Sequence, residues 1–201
     1  MKIAVINGSP KGKFSVTLQT VLYLEKKFPE HEFSVLHAGQ QIKSLEKNFT
    51  KAKELIESSD AVLFSYPVYT FFAPAQLHRF IELMKSNNVN TENKFATQIT
   101  TSKHFYDVTA HKYIEENALD MGMKYIRGLS ADMEDLLAEK GQKDAEKFFE
   151  RFIWAVTEKI YTSPLKTNSD YSPVAPAEAS ANSNQNDKKD IIILTDETDS
   201  N

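Results

Sequence analysis

The strongest constraint on the fold is a regular alternation of short apolar runs with amphipathic stretches. The runs have the length and composition of buried strands, and the stretches between them carry apolar residues at helical spacing. Such alternation is typical of an α/β protein with a mostly parallel sheet. The predicted strands are 2–7, 32–38, 60–69, 94–100 and 123–131, and the predicted helices are 14–28, 48–59, 73–86, 105–122 and 139–162. Five strands and five helices predict a three-layer α/β sandwich, with a parallel sheet of order 2-1-3-4-5 and helices on both faces.

The chain changes character after residue 162. Residues 163–189 contain three prolines, no glycine and few large apolar side chains, so we expect a flexible linker or tail after a domain that spans 1–162. Residues 190–201, DIIILTDETDSN, have the pattern of a short buried strand. This segment is either an edge strand of the first domain or the start of a further domain, and the second interpretation is slightly favoured.

Composition narrows the function. The net charge is -4 and the lysines are scattered among acidic residues, which argues against nucleic acid as a partner. No apolar stretch is long enough to span a membrane, and the N-terminal segment is not a signal peptide, so we expect a cytoplasmic protein. The absence of cysteine excludes disulfides, thiolate metal sites, cysteine nucleophiles and iron–sulfur clusters held by cysteine.

The segment INGSPKGKFSVT, residues 6–17, places two of the six glycines between the first strand and the first helix. Backbone N–H groups at the start of a helix favour an anion, and Ser9, Ser15 and Thr17 add hydroxyl donors. The spacing matches neither a Walker A motif nor G-x-G-x-x-G, which leaves a phosphate monoester as the expected ligand. The alternative is an ordinary turn in which Ser15 caps the helix.

A second segment, SYPVYTFFAPAQLHRF, follows the third strand and carries Tyr66, Tyr69, Phe71 and Phe72. In a sheet of order 2-1-3-4-5 the first and third strands flank the point where ligands bind, so the two loops are expected to be neighbours. Aromatic side chains beside a phosphate site suit a flat conjugated ring. The alternative places Phe71 and Phe72 in the core or in a dimer interface.

The segments GSPKGKFSVT and PVYTFFAPAQLHRFIE, in this order, resemble the flavodoxin-like NAD(P)H-dependent FMN reductases, including quinone-reductase and iron–sulfur flavoprotein relatives. The resemblance covers about residues 1–160. It implies bound FMN, NAD(P)H as electron donor and a homodimer whose flavin sites lie near the interface. The resemblance places the FMN phosphate on Ser9, Lys11, Ser15 and Thr17 beside Val16, and the flavin ring against Pro67, Val68, Tyr69, Thr70 and Phe71.

In such proteins the loop after the fourth strand closes over the other edge of the flavin. Here that loop reads TTSKHFYD, which makes Thr101, Ser102, Lys103, His104 and Phe105 candidates, although the loop lacks the glycines that many relatives have. His104 either places a polar group near the N1 and O2 side of the ring or is an ordinary surface residue. Asp132, Glu134 and Asp135 either face the site or begin the last helix. We predict no metal site, because no histidine has partners at ligand spacing.

The leading interpretation is an oxidoreductase that takes a hydride from NAD(P)H through FMN and reduces a small-molecule acceptor or a redox partner protein. The small-molecule acceptors expected are quinones, nitro or azo compounds and free flavin. No protein side chain is expected to be catalytic, because the flavin performs the chemistry. Two alternatives remain: a flavin-binding electron carrier without NAD(P)H turnover, and, less favoured, a regulator of this fold without a cofactor.

Overall fold

The computed structural model describes residues 1–103 and 107–163, and within them six parallel strands form one sheet. The order is β2-β1-β3-β4-β5, with β6 also paired to β4, which confirms the predicted order. The strands are β1 (Lys2–Asn7), β2 (Glu32–Leu36), β3 (Ala61–Pro67), β4 (Phe95–Ser102), β5 (Lys124–Tyr125) and β6 (Leu129–Asp132).

Helices cover both faces of this sheet and make the flavodoxin-like sandwich. Ile3 and Val5 of β1 pack towards α1 and α6, whereas Ala4 and Ile6 pack towards the other four helices. The alternation arises because successive side chains of a strand point to opposite faces. The helices are α1 (Val16–Lys27), α2 (Ala38–Leu45), α3 (Thr50–Glu57), α4 (Ala75–Ser86), α5 (Val108–Asp120) and α6 (Glu139–Thr157).

Helix α2 is the one α-helix in the described part of the chain that the sequence analysis did not predict. Its sequence AGQQIKSL contains Gly39 in the first turn, where a glycine weakens helix propensity. The glycine is required by packing, because a Cβ at Gly39 would lie 2.3 Å from the carbonyl oxygen of Gly8. The tertiary contact between α2 and the loop after β1 therefore outweighs local propensity.

The predicted fifth strand, 123–131, is broken in two. Its first part, β5, pairs with Phe95 and Ala96 of β4, and its second part, β6, pairs with Ile99 to Ser102. Gly128 lies in the break, where a Cβ would be 2.3 Å from the carbonyl oxygen of Gln98. The chain therefore crosses close to β4 at this point and then continues in the ladder.

The last helix also differs from its predicted range, since it ends at Thr157 and not at 162. Lys159 has a φ of 56°, a left-handed conformation that a helix cannot contain, and Thr162 then pairs with Tyr125 at the sheet edge. Apart from Ser163, the predicted linker 163–189 and the segment 190–201 lie outside the described residues, so both stay predictions. Among the described helices, none has the length and apolar character needed to cross a bilayer.

Candidate active site

The loop between β1 and α1 is built around the side chain of Asn7. Its Oδ1 accepts a hydrogen bond from the Ser9 N–H at 3.1 Å, and its Nδ2 donates to the carbonyl oxygen of Gly12 at 2.8 Å. Gly12 has a φ of 55°, a left-handed conformation that favours glycine, and a Cβ there would meet the end of the exposed Gln40 side chain. Asn7 thus holds together the two ends of the turn that carries Lys11.

Ser15 occupies the residue before α1, where its hydroxyl was expected either to bind an anion or to cap the helix. The side chain makes no capping hydrogen bond. Its Oγ is buried and has no hydrogen-bond partner among the described residues. A buried hydroxyl without a partner is costly, so this atom is suited to an external acceptor at the helix start.

The loop between β1 and α1, which carries the hydroxyls of Ser9 and Ser15 and is called the hydroxyl loop below, lies beside the carboxyl ends of β3 and β4. The Val68 N–H donates to the carbonyl oxygen of Thr101 at 3.0 Å, and the hydroxyls of Thr17 and Thr101 lie 2.6 Å apart. These contacts join the loop after β3 to β4 and join β4 to α1. The first and second predicted segments are therefore neighbours, as the strand order requires.

A cavity of about 270 Å³ opens where the hydroxyl loop, the loop after β3 and the end of β4 meet. It brings together ten of the predicted cofactor-binding residues: Ser9, Lys11, Ser15, Val16, Thr17, Pro67, Val68, Tyr69, Thr101 and Ser102. Lys103 also lines it. Its lining combines hydroxyls and two lysines with apolar and aromatic groups, which suits a phosphate attached to a flat ring.

Thr70 and Phe71 do not line this cavity, although they were predicted to contact the ring. They form the tip of a tight turn in which the Tyr69 and Phe72 backbones bond to each other, at 2.9 and 3.1 Å. Both tip residues have positive φ, 48° for Thr70 and 74° for Phe71. The turn projects its aromatic side chains outward, and Phe71 and Phe72 are 45% and 53% exposed. His104 and Phe105 lie outside the described residues.

Met133, which follows β6, is a cavity-lining residue that sequence reasoning missed. Of the acidic residues around it, the Asp135 carboxylate accepts from the Asp132 N–H at 2.7 Å, and the Asp132 carboxylate accepts from the Glu134 N–H at 3.2 Å. The Glu134 carboxylate lies 3.9 Å from Nζ of Lys103, which lines the cavity. These acids therefore shape a turn, and α6 begins only at Glu139. Predicting Met133 required knowing that β6 ends beside β4.

A network of polar side chains lies on the face of β4 that packs against α5, opposite the face that contacts α1. The Tyr66 hydroxyl donates to Gln98 Oε1 at 2.5 Å, and Gln98 Nε2 donates to the Tyr125 hydroxyl. Burial raises the pKa of Tyr125 to about 12, so this hydroxyl keeps its proton at neutral pH. The Thr100 hydroxyl donates to Asp107 at 3.0 Å and lies 2.8 Å from Nε2 of His111. These bonds tie the end of β4 to α5.

A larger cavity, about 340 Å³, lies along β6 and α6 and is lined by Arg127, Lys147 and Arg151. Neither the hydroxyl loop nor the loop after β3 that carries Tyr69 contributes a residue to its lining. The 270 Å³ cavity at the carboxyl ends of β3 and β4 is therefore the candidate active site.

A sequence profile of the NADPH-dependent FMN reductases matches residues 1–134. The chain belongs to this family. It is therefore an NAD(P)H-dependent FMN reductase-like oxidoreductase, with FMN as cofactor and NAD(P)H as electron donor. A search of curated proteins gives no significant match.

Solved structures agree with the fold of this family. An NADH:FMN oxidoreductase, EMOB, in its apo form has a TM-score of 0.65 at 15% identity, over 77% of this chain and 89% of its own. FerB, an NAD(P)H:acceptor oxidoreductase from Paracoccus denitrificans, has a TM-score of 0.61 at 22% identity, over 78% and 95% of the two chains. An FMN-dependent NADH-azoreductase from Bacillus anthracis, in complex with FMN, has a TM-score of 0.55 at 14% identity, over 75% and 98%. At these identities the similarity shows a shared fold.

Proposed function

We propose that this reductase binds FMN in the 270 Å³ cavity and passes electrons from NAD(P)H to a quinone, a nitro or azo compound, free flavin or a redox partner protein. The observation that carries the proposal is the buried Ser15 hydroxyl, which has no partner in the described structure and lies at the start of α1. A phosphate in this loop would accept from Ser15 and meet the positive end of the helix.

The loop residues act by binding and orientation. Ser9, Ser15 and Thr17 offer hydroxyl groups, and Lys11 adds a positive charge at the same wall of the cavity. Several donors directed at one phosphate fix its position as well as its charge. The phosphate end of the cofactor would thus be anchored at the start of α1, with the ring extending towards β3 and β4.

The ring side of the cavity is largely apolar. Pro67, Val68 and Tyr69 form one wall, and Met133 contributes another apolar group. FMN, when bound, supplies the two-electron chemistry by accepting a hydride from the nicotinamide and giving electrons to the acceptor. The protein supplies position and an apolar wall, and Lys103, whose Nζ lies 3.9 Å from the Glu134 carboxylate, lines the same cavity.

We also propose that the protein is a homodimer and that its dimer interface includes the tight turn of residues 69–72. Phe71 and Phe72 are exposed on that turn beside the cavity, and large aromatic side chains are enriched in interfaces. Sedimentation equilibrium of the purified chain, compared with a variant in which Phe72→Ser, tests this point. A wild-type monomer at micromolar concentration would contradict it. Cytoplasmic location also remains a proposal, which fractionation of the source cells tests.

The function is tested by three measurements made in sequence. The visible spectrum and the released chromophore establish whether FMN binds; anaerobic addition of NADH or NADPH shows whether the spectrum bleaches; and a panel of quinone, nitro, azo and flavin acceptors shows which one restores it. Bound FMN that neither nucleotide reduces would identify an electron carrier instead. A protein that takes up no FMN would contradict the proposal as a whole.

A further inference from the structure

His37 is the single residue between β2 and α2, and its side chain contacts the predicted phosphate loop. Its Nδ1 is 3.1 Å from Nδ2 of Asn7, the residue that holds the two ends of the loop. His37 is partly buried and makes no side-chain bond to its own helix. The side-chain contact of His37 with Asn7 is therefore directed at the loop.

The bonds of Asn7 decide which atom donates in this contact. Asn7 Oδ1 accepts from the Ser9 N–H, and Nδ2 donates to the Gly12 carbonyl oxygen, so the amide cannot be turned round without losing both bonds. The group that faces His37 is thus an NH₂, which can only donate. His37 Nδ1 must accept, and an imidazole nitrogen accepts only when it carries no proton.

We propose that neutral His37 is a positioning residue for the cofactor phosphate, acting through Asn7. When His37 is protonated, N–H meets N–H at this contact, the bond to Asn7 is lost, and the loop that carries Ser9 and Lys11 is held less firmly. This inference rests on the proposed function, because it assumes that the loop binds the FMN phosphate.

The surroundings of His37 give the effect its sign. Within the described residues no carboxylate lies within 4 Å of the ring, so His37 forms no ion pair there. A phosphate near the ring would by itself favour protonation and so tighten binding in acid, which is the opposite of the effect proposed. The charged and titratable side chains on the elements packed around His37 are Lys2 of β1, Lys11 and Lys13 of the loop, Glu32 of β2, Lys43 of α2, and His78, Arg79, Glu82 and Lys85 of α4.

Two variants test the hydrogen-bond acceptor at position 37 separately from the imidazole ring, and their side chains are nearly equal in size. In His37→Asn, the amide oxygen occupies the place of Nδ1 and accepts at any pH, whereas His37→Leu offers no acceptor. The measurement is the dissociation constant of FMN for apoprotein, by quenching of flavin fluorescence. Riboflavin, which lacks the phosphate, is the matched control ligand.

At pH 8 we expect FMN to bind His37→Leu about fivefold more weakly than wild type, as for the loss of one hydrogen bond. His37→Asn should stay within about twofold, and riboflavin binding should change little in either variant. From pH 8 to pH 5.5 the ratio of the wild-type constant to that of His37→Asn should rise, because only the wild type loses its acceptor. Taking this ratio cancels the titration of the FMN phosphate itself.

Three results would overturn the inference: equal FMN affinity of His37→Leu and wild type, a ratio that stays constant or falls in acid, or equal losses of FMN and riboflavin. If His37→Leu does not fold, the pH dependence of wild type against His37→Asn still decides. Failure of the proposed function has a different signature, since wild-type apoprotein would then bind no FMN at any pH.

Discussion

Thr17 Oγ1 lies 2.6 Å from Thr101 Oγ1, although the two residues are 84 positions apart in the chain. Thr17 belongs to the first turn of α1 and Thr101 to the end of β4, and both line the candidate active site. One hydrogen bond therefore connects the predicted phosphate loop to β4, the strand whose following loop was also predicted to lie at the site.

This bond predicts a measurable coupling. Thr17→Val and Thr101→Val should each lower the free energy of unfolding by about 1 kcal/mol, because each leaves the other hydroxyl without its partner. The double variant should lose less than the sum of the two. Urea unfolding of wild type, both single variants and the double variant measures this, and strictly additive losses would show that the hydroxyls do not interact.

Ser15→Ala separates binding from folding. The Ser15 hydroxyl is buried without a partner in the described structure, so its removal should leave the stability of apoprotein unchanged or slightly raised. FMN affinity should fall about tenfold, as for a hydrogen bond to a charged phosphate. Riboflavin affinity is the control and should not change. A clear loss of apoprotein stability with unchanged FMN binding would instead assign Ser15 to helix capping.

Asn7→Asp tests the centre of the loop. The carboxylate can still accept from the Ser9 N–H, but it cannot donate to Gly12, and it brings a negative charge near the expected phosphate. We expect FMN binding to weaken by more than tenfold and riboflavin binding by less. The comparison of the two ligands in a fluorescence titration measures this, and equal weakening would mean that the loop does not contact the phosphate.

His111 predicts how stability depends on pH. Burial lowers the pKa of His111, although Asp107 opposes this shift. The unfolded chain therefore takes up a proton near the ordinary histidine value of about 6.5, whereas the folded chain does so only at lower pH. Stability from this residue is full above that value and is lost as the pH falls below it.

The variant His111→Gln, which keeps an amide near the position of Nε2, should show a shallower loss of unfolding free energy between pH 7.5 and 5.5. Urea unfolding at several pH values measures both slopes. Because His31 and the other histidines are the same in both proteins, their contributions cancel. Identical slopes would rule out the assigned role of His111.

Thr70 predicts a stabilising substitution. Its φ of 48° is left-handed, which a β-branched residue adopts at a cost, and it precedes a second residue of positive φ, as in a type I′ turn. Thr70→Asn should raise the free energy of unfolding by about 0.5 to 1 kcal/mol, because asparagine tolerates this conformation. Thr70→Ala is the matched control and should bring no such gain. Stabilisation by both variants would mean that backbone strain is not the cause.

The fold was predictable because its signals are local. The runs around Ile3 to Ile6 and Val62 to Phe64 have the length and apolar character of buried strands, and their alternation with helices favours a parallel arrangement. The placement of Ser9 and Tyr69 at one cavity followed from the rule on carboxyl ends of strands. The missed helix α2 and the broken fifth strand depend on close contacts of Gly39 and Gly128 with distant backbone, which no local pattern contains.

The same distinction applies to the site. Its hydroxyls and aromatic residues were named from motifs, and Thr70 and Phe71, whose contact with the ring stays a prediction, form a turn outside the cavity lining. Asn7, His37 and Met133 were not singled out, because an asparagine at a strand end, a histidine in a connection and a methionine after a strand are common. Their positions at the site appear only when β1 is paired with β2 and β6 with β4.

The approach of Gly39 to the carbonyl of Gly8 leaves no room for even one methyl group. Two segments separated by 30 residues are thus constrained together, and neither can vary without the other. In a library of all single substitutions, position 39 should tolerate almost nothing, although it lies in a helix that local propensity hardly supports. Diversification aimed at new acceptors should therefore leave the backing of the loop untouched and vary the residues around Met133 and Ser102.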